Sequence, residues 1–163
     1  MVRIKVLFVC LGNICRSPLA EAVFNKVIEK ENLYNSFSAD SCGTASYHIG
    51  KFPEQRTLDT GRKFGLKFDH VVRILTKGDF ETFDYILAMD KFNLDDIHDL
   101  SNRENIILKS EIFLMRDFDD QGQGEDVPDP YYGEIEEFHQ VYKILNRTVS
   151  QFVDHLRERH AIN

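Results

Sequence analysis

The sequence has no tryptophan, only four prolines and nine glycines, and three cysteines in 163 residues. So little Gly and Pro excludes a collagen-like or low-complexity chain. An odd number of cysteines, with Cys10 and Cys15 in one segment, excludes a disulfide framework. It points instead to a reducing compartment, hence a cytoplasmic protein, and to chemistry at a thiol. Long hydrophobic runs are missing too: the longest uninterrupted apolar stretch is Val6–Leu11, against the roughly 18 residues that a membrane span requires. The opening Met1-Val2-Arg3-Ile4-Lys5 leads into that short stretch with no cleavage-site pattern behind it, unlike a secretory signal. No basic run or basic-aromatic stripe occurs, so nucleic acid is not expected as a partner. The six histidines form no i, i+4 pair and have no companion cysteine pair, so no metal and no cofactor is expected.

What the chain does contain is enough apolar material for one domain. Hydrophobic residues make up 42% of it, and its length suits a single domain over 1–163 that buries about two-thirds of its unfolded surface. The net charge of −7 is uneven: residues 117–137 hold nine of the 27 acids and no Lys or Arg. Such loops are mostly solvated, and basic residues flanking a bound substrate are what this one would favour.

The order of elements is legible in outline. Ile4–Val9 reads as a strand buried on both faces, since it has no polar alternation. Gly12 and Asn13 tolerate left-handed angles, and Ser17-Pro18 signals a helix start. Ala20, Val23, Phe24, Val27 and Ile28 then repeat at helical spacing to about Lys30. Phe37–Ser41 reads as a second strand ended by Cys42-Gly43, and Pro53–Phe64 as a helix stopped by Gly65. Thr76 and Asp79 form a capping pattern for a short helix over Thr76–Phe83. Asp84–Met89 reads as the third strand, Asp90–Leu100 as a helix, and Ile106–Leu114 contains a fourth strand. Ile135, Phe138, Val141, Tyr142, Leu145, Val149, Phe152 and Leu156 mark one long amphipathic helix. Strands alternating with helices predict an α/β fold: a single three-layer domain with a central parallel four-stranded sheet and helices on both faces. In such sheets sites form beyond the C-terminal strand ends, where the segment after Val9 lies.

That segment, Cys10-Leu11-Gly12-Asn13-Ile14-Cys15-Arg16-Ser17-Pro18, has the parts of an oxyanion-binding loop built around a thiol. Backbone N–H groups from Leu11 to Ser17 can curl about one centre just before a helix N-terminus and form an anion nest. Cys10 would sit beneath them, where the same donors stabilise a sulfur anion. Arg16 can offer two N–H groups to two oxygens of a bound phosphoryl group. The Ser17 hydroxyl can cap the helix and donate to the sulfur.

The run Val6–Pro18 resembles the signature of the low-molecular-weight protein tyrosine phosphatases, and Asp129-Pro130-Tyr131-Tyr132-Gly133 resembles that family's general-acid loop near the C-terminus. Asp40-Ser41, Tyr85–Asp90 and Asn93 are similar to further family segments, so the likeness spans the chain. It implies a protein tyrosine phosphatase that hydrolyses phosphotyrosine and small aryl phosphates through a phosphocysteine intermediate, without a metal. Cys10 would be the nucleophile and Arg16 the phosphate ligand. Asp129 would serve as general acid and then as base. Leu11, Gly12, Asn13, Ile14, Cys15 and Ser17 would line the substrate loop, with Asn13 held by Ser41 and His70. Tyr131 and Tyr132 would wall the site. Tyr47 would form the opposite rim, with His48 the alternative because Cys42 follows Ser41 where the family commonly has Gly.

The resemblance also implies phosphotyrosine-containing proteins as partners and phosphate and other oxyanions as inhibitors. Cys10 and Cys15 are candidates for a reversible disulfide under oxidation. Thiol-dependent arsenate reductases share the loop but need further cysteines near the end of the third strand; Tyr85–Leu100 has none. A non-catalytic phosphotyrosine-binding module would be expected to lack the nucleophile or the acid, and both are here.

Overall fold

Val6, Leu7, Phe8 and Val9 are all completely buried, because alternate side chains of a strand leave by opposite faces and both faces of this one are covered. The computed structural model describes residues 2–163. Its first strand, β1, runs Ile4–Cys10 and leads into helix α1 (Arg16–Lys30), followed by β2 (Phe37–Gly43), α2 (Gln55–Lys63) and the single turn α3 (Asp79–Thr82). Then come β3 (Tyr85–Ala88), α4 (Lys91–Arg103), β4 (Glu111–Leu114), a 3₁₀ turn at Met115–Phe118 and α5 (Ile135–Arg159). The strands form one four-stranded sheet in the order β2-β1-β3-β4, parallel throughout. This is the expected α/β architecture. Among the described residues no helix is long and apolar enough to cross a membrane.

Strand periodicity divides the core in two. Val6 and Phe8 of β1 and Tyr85 and Leu87 of β3 face α1 and α5, meeting Val23, Phe24, Leu145 and Phe152. Leu7 and Val9, with Ile86 and Ala88, face the other way onto Phe80 and Ile97. Each large apolar side chain so buried contributes about 1.5–3 kcal/mol. The α5 residues Phe138, Val141, Leu145, Val149, Phe152 and Leu156 are buried at helical spacing, as their pattern predicts.

Several boundaries differ from expectation, each for a local reason. α1 starts at Arg16, one residue before Ser17, with Cys15 as N-cap and no side-chain cap. The Ser17 hydroxyl is therefore not a helix cap. β2 continues through Cys42 and Gly43 because these pair with Val9 and Cys10. The short helix expected over Thr76–Phe83 is present but confined to Asp79–Thr82: the Thr76 N–H and hydroxyl donate to Asp79 Oδ2, and Arg73 engages both Asp79 oxygens. β4 begins only at Glu111; Ile107 is 88% exposed and belongs to the loop before it.

The acidic stretch is more structured than composition suggests. Asp119 is 1% exposed and accepts from Arg116 Nε at 2.9 Å and from Arg147 Nε and Nη2, both at 2.8 Å. The Arg147 hydrogen bonds, helped by Arg116, hold its carboxyl well below the ordinary range. Arg116 Nη1 also donates to the Asp126 carbonyl, so this clasp ties the loop to α5. Asp119→Asn leaves two guanidinium groups without their shared anion and should cost about 3 kcal/mol at neutral pH, readable in urea melts. Because the native carboxyl titrates below the unfolded one, the wild-type advantage is full above about pH 4 and fades only as strong acid protonates it. A variant as stable as wild type at neutral pH would refute this.

Candidate active site

The site begins where β1 ends. Its neighbours β2 and β3 end alongside it, and the chain must turn from strand to helix in the residues Leu11–Cys15. Asn13 makes the turn, with φ of 57°. The carbonyls of the loop face outward: Cys10 O accepts from Thr44 N–H, Leu11 O from Ala45 N–H and Ile14 O from Glu54 N–H, at 3.0, 2.9 and 2.8 Å. The N–H groups of Leu11–Cys15 donate to no protein acceptor among the described residues. Gly43 is required beside this turn, since a Cβ there would lie 2.6 Å from Leu11 O and 3.1 Å from Asn13 N.

A buried polar lattice holds the loop from behind. Asn13 Nδ2 donates to the Ser17 and Ser41 hydroxyls at 2.8 and 3.0 Å. The Arg73 N–H, which can only donate, reaches Asn13 Oδ1 at 3.2 Å and fixes which end of the amide is oxygen. His70 Nε2 lies 2.6 Å from that same oxygen, so it carries a proton. Nδ1 then faces Glu21 Oε1 at 3.2 Å and Asp40 Oδ1 at 3.5 Å. Burial pushes the Glu21 carboxyl up to about 7, against a hydrogen bond from Ser41 and attraction to His70. The Ser17 hydroxyl stands 3.0 Å from Cys10 Sγ, completing the connection from His70 to the sulfur. Glu21, Asp40 and His70 bring ligand-type atoms within 4.8 Å of one another, a cluster no sequence spacing announced. Its atoms are taken up by protein: Asp40 by Arg73, Glu21 by Ser41, His70 by Asn13.

Arg16 is 3% exposed. Its Nη1 donates to Asp90 Oδ2 at 2.6 Å and to the Val127 carbonyl at 3.0 Å, and Nη2 is 3.7 Å from Asp129 Oδ2. Burial opposes its charge, but Cys10, Asp90 and Asp129 more than offset that and raise its pKa. Asp129 Oδ1 accepts from the Tyr131 N–H at 3.1 Å, which anchors the carboxylate while leaving it 40% exposed. Asp126, three residues before Asp129, accepts from the Lys91 N–H at 3.0 Å and pairs with Lys91 Nζ.

These groups surround one cavity of about 260 Å³, lined by Cys10, Leu11, Gly12, Ile14, Cys15, Arg16, Asp129, Tyr131 and Tyr132, with Tyr47 and His48 both on the far rim. Of the expected residues, Asn13, Ser17, Ser41 and His70 stand behind the wall. The rim alternative resolves into a pair, the two rings meeting edge to face. Cys15 lines the cavity, and burial together with the neighbouring Cys10 pushes its thiol up to about 12.

Three positioning residues lie beyond the sequence reading. Asp90 follows β3, caps α4 through the Asn93 N–H and holds Arg16; its place past a strand end next to β1 was an available signal. Glu21 is one helical turn from Ser17 on the buried side of α1. Arg56 donates to the carbonyls of Gly133 and Tyr131, both at 2.8 Å, and lies over the Phe138 ring. It thereby fixes the Asp-Pro-Tyr-Tyr corner, and nothing local in the sequence pointed to it.

A buried thiol, a buried guanidinium and a carboxylate that line one cavity, beside a turn whose amides meet no protein acceptor among the described residues, define a class of oxyanion-handling enzymes. Residues 5–161 match the family model described as low molecular weight phosphotyrosine protein phosphatase. A relative named low molecular weight phosphotyrosine protein phosphatase from Gallus gallus is 44% identical over 150 residues, 92% of this chain and 94% of that one. A crystal structure of a protein tyrosine phosphatase from Entamoeba histolytica, with Hepes in its active site, is 41% identical and superimposes with a TM-score of 0.88, covering 96% of this chain and 99% of that one. The Drosophila arginine phosphatase is 32% identical, also at a TM-score of 0.88, covering 94% and 98%. The chain belongs to the low molecular weight phosphotyrosine protein phosphatase family, and is a hydrolase of that kind.

Proposed function

We propose that residues 1–163 act as one catalytic domain that dephosphorylates phosphotyrosine in proteins, and small aryl phosphates, through a phosphocysteine intermediate. Cys10 Sγ attacks phosphorus in line with the leaving oxygen. As the S–P bond forms and the P–O bond breaks, Asp129 gives its proton to the departing phenolate. Water then attacks the phosphocysteine, Asp129 takes its proton, and the thiolate leaves with inorganic phosphate released. Charge in the loose transition state spreads over three equatorial oxygens. The outward-turned carbonyls leave the amides of Leu11–Cys15 available for them, and Arg16 adds a guanidinium held in place by Asp90. This donor set supplies the charge stabilisation that metal ions give in other phosphoryl-transfer sites, so the mechanism calls for none. The same donors account for inhibition by phosphate and similar oxyanions.

The observation that carries the reading is that Cys10, Arg16 and Asp129 share a single cavity although Asp129 comes from the far end of the chain. Substrate choice follows from the walls. Leu11, Ile14, Tyr131 and Tyr132 give apolar and aromatic surface for stacking a flat ring, whereas phosphoserine would leave it uncovered. A phosphorylated guanidinium is the specific competitor, because one relative at 32% identity is an arginine phosphatase; the apolar walls offer less to that polar, charged group.

Initial rates on matched phosphotyrosine, phosphoserine and phosphoarginine peptides test the reading. The expected order puts phosphotyrosine ahead by about 10²-fold or more in kcat/KM, since the rejected groups forgo the ring contacts spent on the transition state. Equal or faster turnover of phosphoarginine would overturn the substrate assignment.

A further inference from the structure

A second cavity, of about 390 Å³, opens beside the first and shares Leu11 and Tyr47 with it. Its other wall is α4, which presents Asp96, Asp99, Leu100 and Arg103. Asp96 and Asp99 are exposed, and among the described residues neither carboxylate takes part in a hydrogen bond or ion pair, although Arg103 lies one turn beyond Asp99 in α4. Neither lies in the first turn of α4, where a carboxylate would serve the helix itself. The floor between them and the cleft is apolar, built from Leu11, Ile74 and Leu75.

The acidic stretch 117–137, which composition alone marks as the place for a basic substrate residue, is largely committed elsewhere. Asp119 serves Arg116 and Arg147, Asp120 serves Gln151, and Glu125 and Asp126 serve Arg116 and Lys91. Asp117 and Glu137 accept from the backbone of Leu114 and Glu134. Asp96 and Asp99, by contrast, line the groove beside the cleft, and among the described residues neither carboxylate is taken up by the protein.

We propose that this groove is a specificity subsite for a Lys or Arg close to the phosphotyrosine in the substrate chain. The proposal rests on the phosphotyrosine reading above. A long basic side chain suits the groove on both counts: its methylene stem lies along the Leu11, Ile74 and Leu75 floor while its charged head reaches Asp96 and Asp99. Leu11 and Tyr47 are the ridge over which the substrate backbone passes from one cavity to the other.

The test is kcat/KM on phosphotyrosine peptides that carry Lys, Gln or Glu at each flanking position in turn, with the wild type, the double variant Asp96→Asn/Asp99→Asn and the reversed Asp96→Lys/Asp99→Lys. At low salt the wild type should favour Lys over Glu by about fivefold at the position that reaches the groove. High salt should shrink that preference. The double Asn variant should lose it, the double Lys variant should prefer Glu, and the rate on p-nitrophenyl phosphate, which has no flanking chain, should stay at the wild-type value. A preference that survives in the double Asn variant, or a wild type indifferent to charge at every position, overturns the groove while leaving the catalytic reading intact. Failure to turn over any phosphotyrosine peptide overturns the reading beneath it.

Discussion

Replacing Cys10 by Ala should remove turnover of phosphotyrosine peptides by about 10⁴–10⁶-fold, the range seen when an enzyme's nucleophile is deleted, and should leave the oxyanion site standing. The two outcomes separate because different atoms produce them. In the proposed mechanism Cys10 Sγ supplies the bonding electron pair. The anion cradle consists of backbone N–H groups and Arg16, whose placement depends on Asp90 and the Val127 carbonyl. The loop's own shape depends on Asn13, which Ser41, His70 and the Arg73 N–H hold independently of the sulfur. Ser17 loses its 3.0 Å contact with Cys10 but keeps its hydrogen bond from Asn13. A ligand that binds only the native state raises the melting temperature by mass action, so inorganic phosphate should stabilise Cys10→Ala as it does wild type. Quenched single-turnover samples should contain a phosphorylated protein in wild type and none in the variant. Residual turnover near wild type, or loss of the phosphate-induced stabilisation along with activity, would refute the separation of nucleophile from cradle.

How far these properties were readable in advance depends on the range of the interactions behind them. The β1–turn–α1 unit was legible because its signals are local: an apolar run buried on both faces, then Gly12 and Asn13, then Pro18 at a helix start. Asn13 indeed takes the left-handed conformation. The Cys10 loop was legible for the same reason. Asp129 was reached through family likeness, since nothing in its neighbourhood reports that it returns to Arg16. Asp90 and Arg56 make their decisive contacts with residues remote in sequence, and pairing across such distances leaves no periodicity to read.

Composition misled most at the acidic stretch. Nine carboxylates in 21 positions resemble a solvated loop, yet Asp119 is buried between two guanidinium groups whose residues gave no local sign of it. The Thr76-x-x-Asp79 pattern shows the opposite limit. Its spelling announced a short helix, and one forms over Asp79–Thr82, but the grip of Arg73 on both Asp79 oxygens left no local mark.

The second large effect is expected at Asp129, the proposed general acid. Asp129→Asn should lower kcat on phosphotyrosine peptides by about 10²–10⁴-fold, the usual share of a positioned proton donor. Its size should depend on the leaving group. A phenolate as basic as that of tyrosine leaves poorly without a proton, whereas p-nitrophenolate is stable unprotonated, so the loss on p-nitrophenyl phosphate should be markedly smaller. A merely structural role for Asp129 would move both substrates alike. Binding of phosphate should change little, because the carboxamide oxygen of the variant can still accept from the Tyr131 N–H, as Asp129 Oδ1 does, and Arg56 still fixes the Tyr131 and Gly133 carbonyls. Removing the carboxylate that lies 3.7 Å from Arg16 Nη2 also relieves its repulsion of a bound dianion, which acts toward tighter phosphate binding. Equal losses on the two leaving groups would show that Asp129 places the loop and does not donate the proton. The identity of the acid would then have to be sought among the other side chains lining the cavity, which include Cys15, His48, Tyr131 and Tyr132. Of these Cys15 is the poorest donor: pushed up to about 12 by burial and by Cys10, it holds its proton more tightly than a tyrosyl phenolate of pKa about 10 can draw it away.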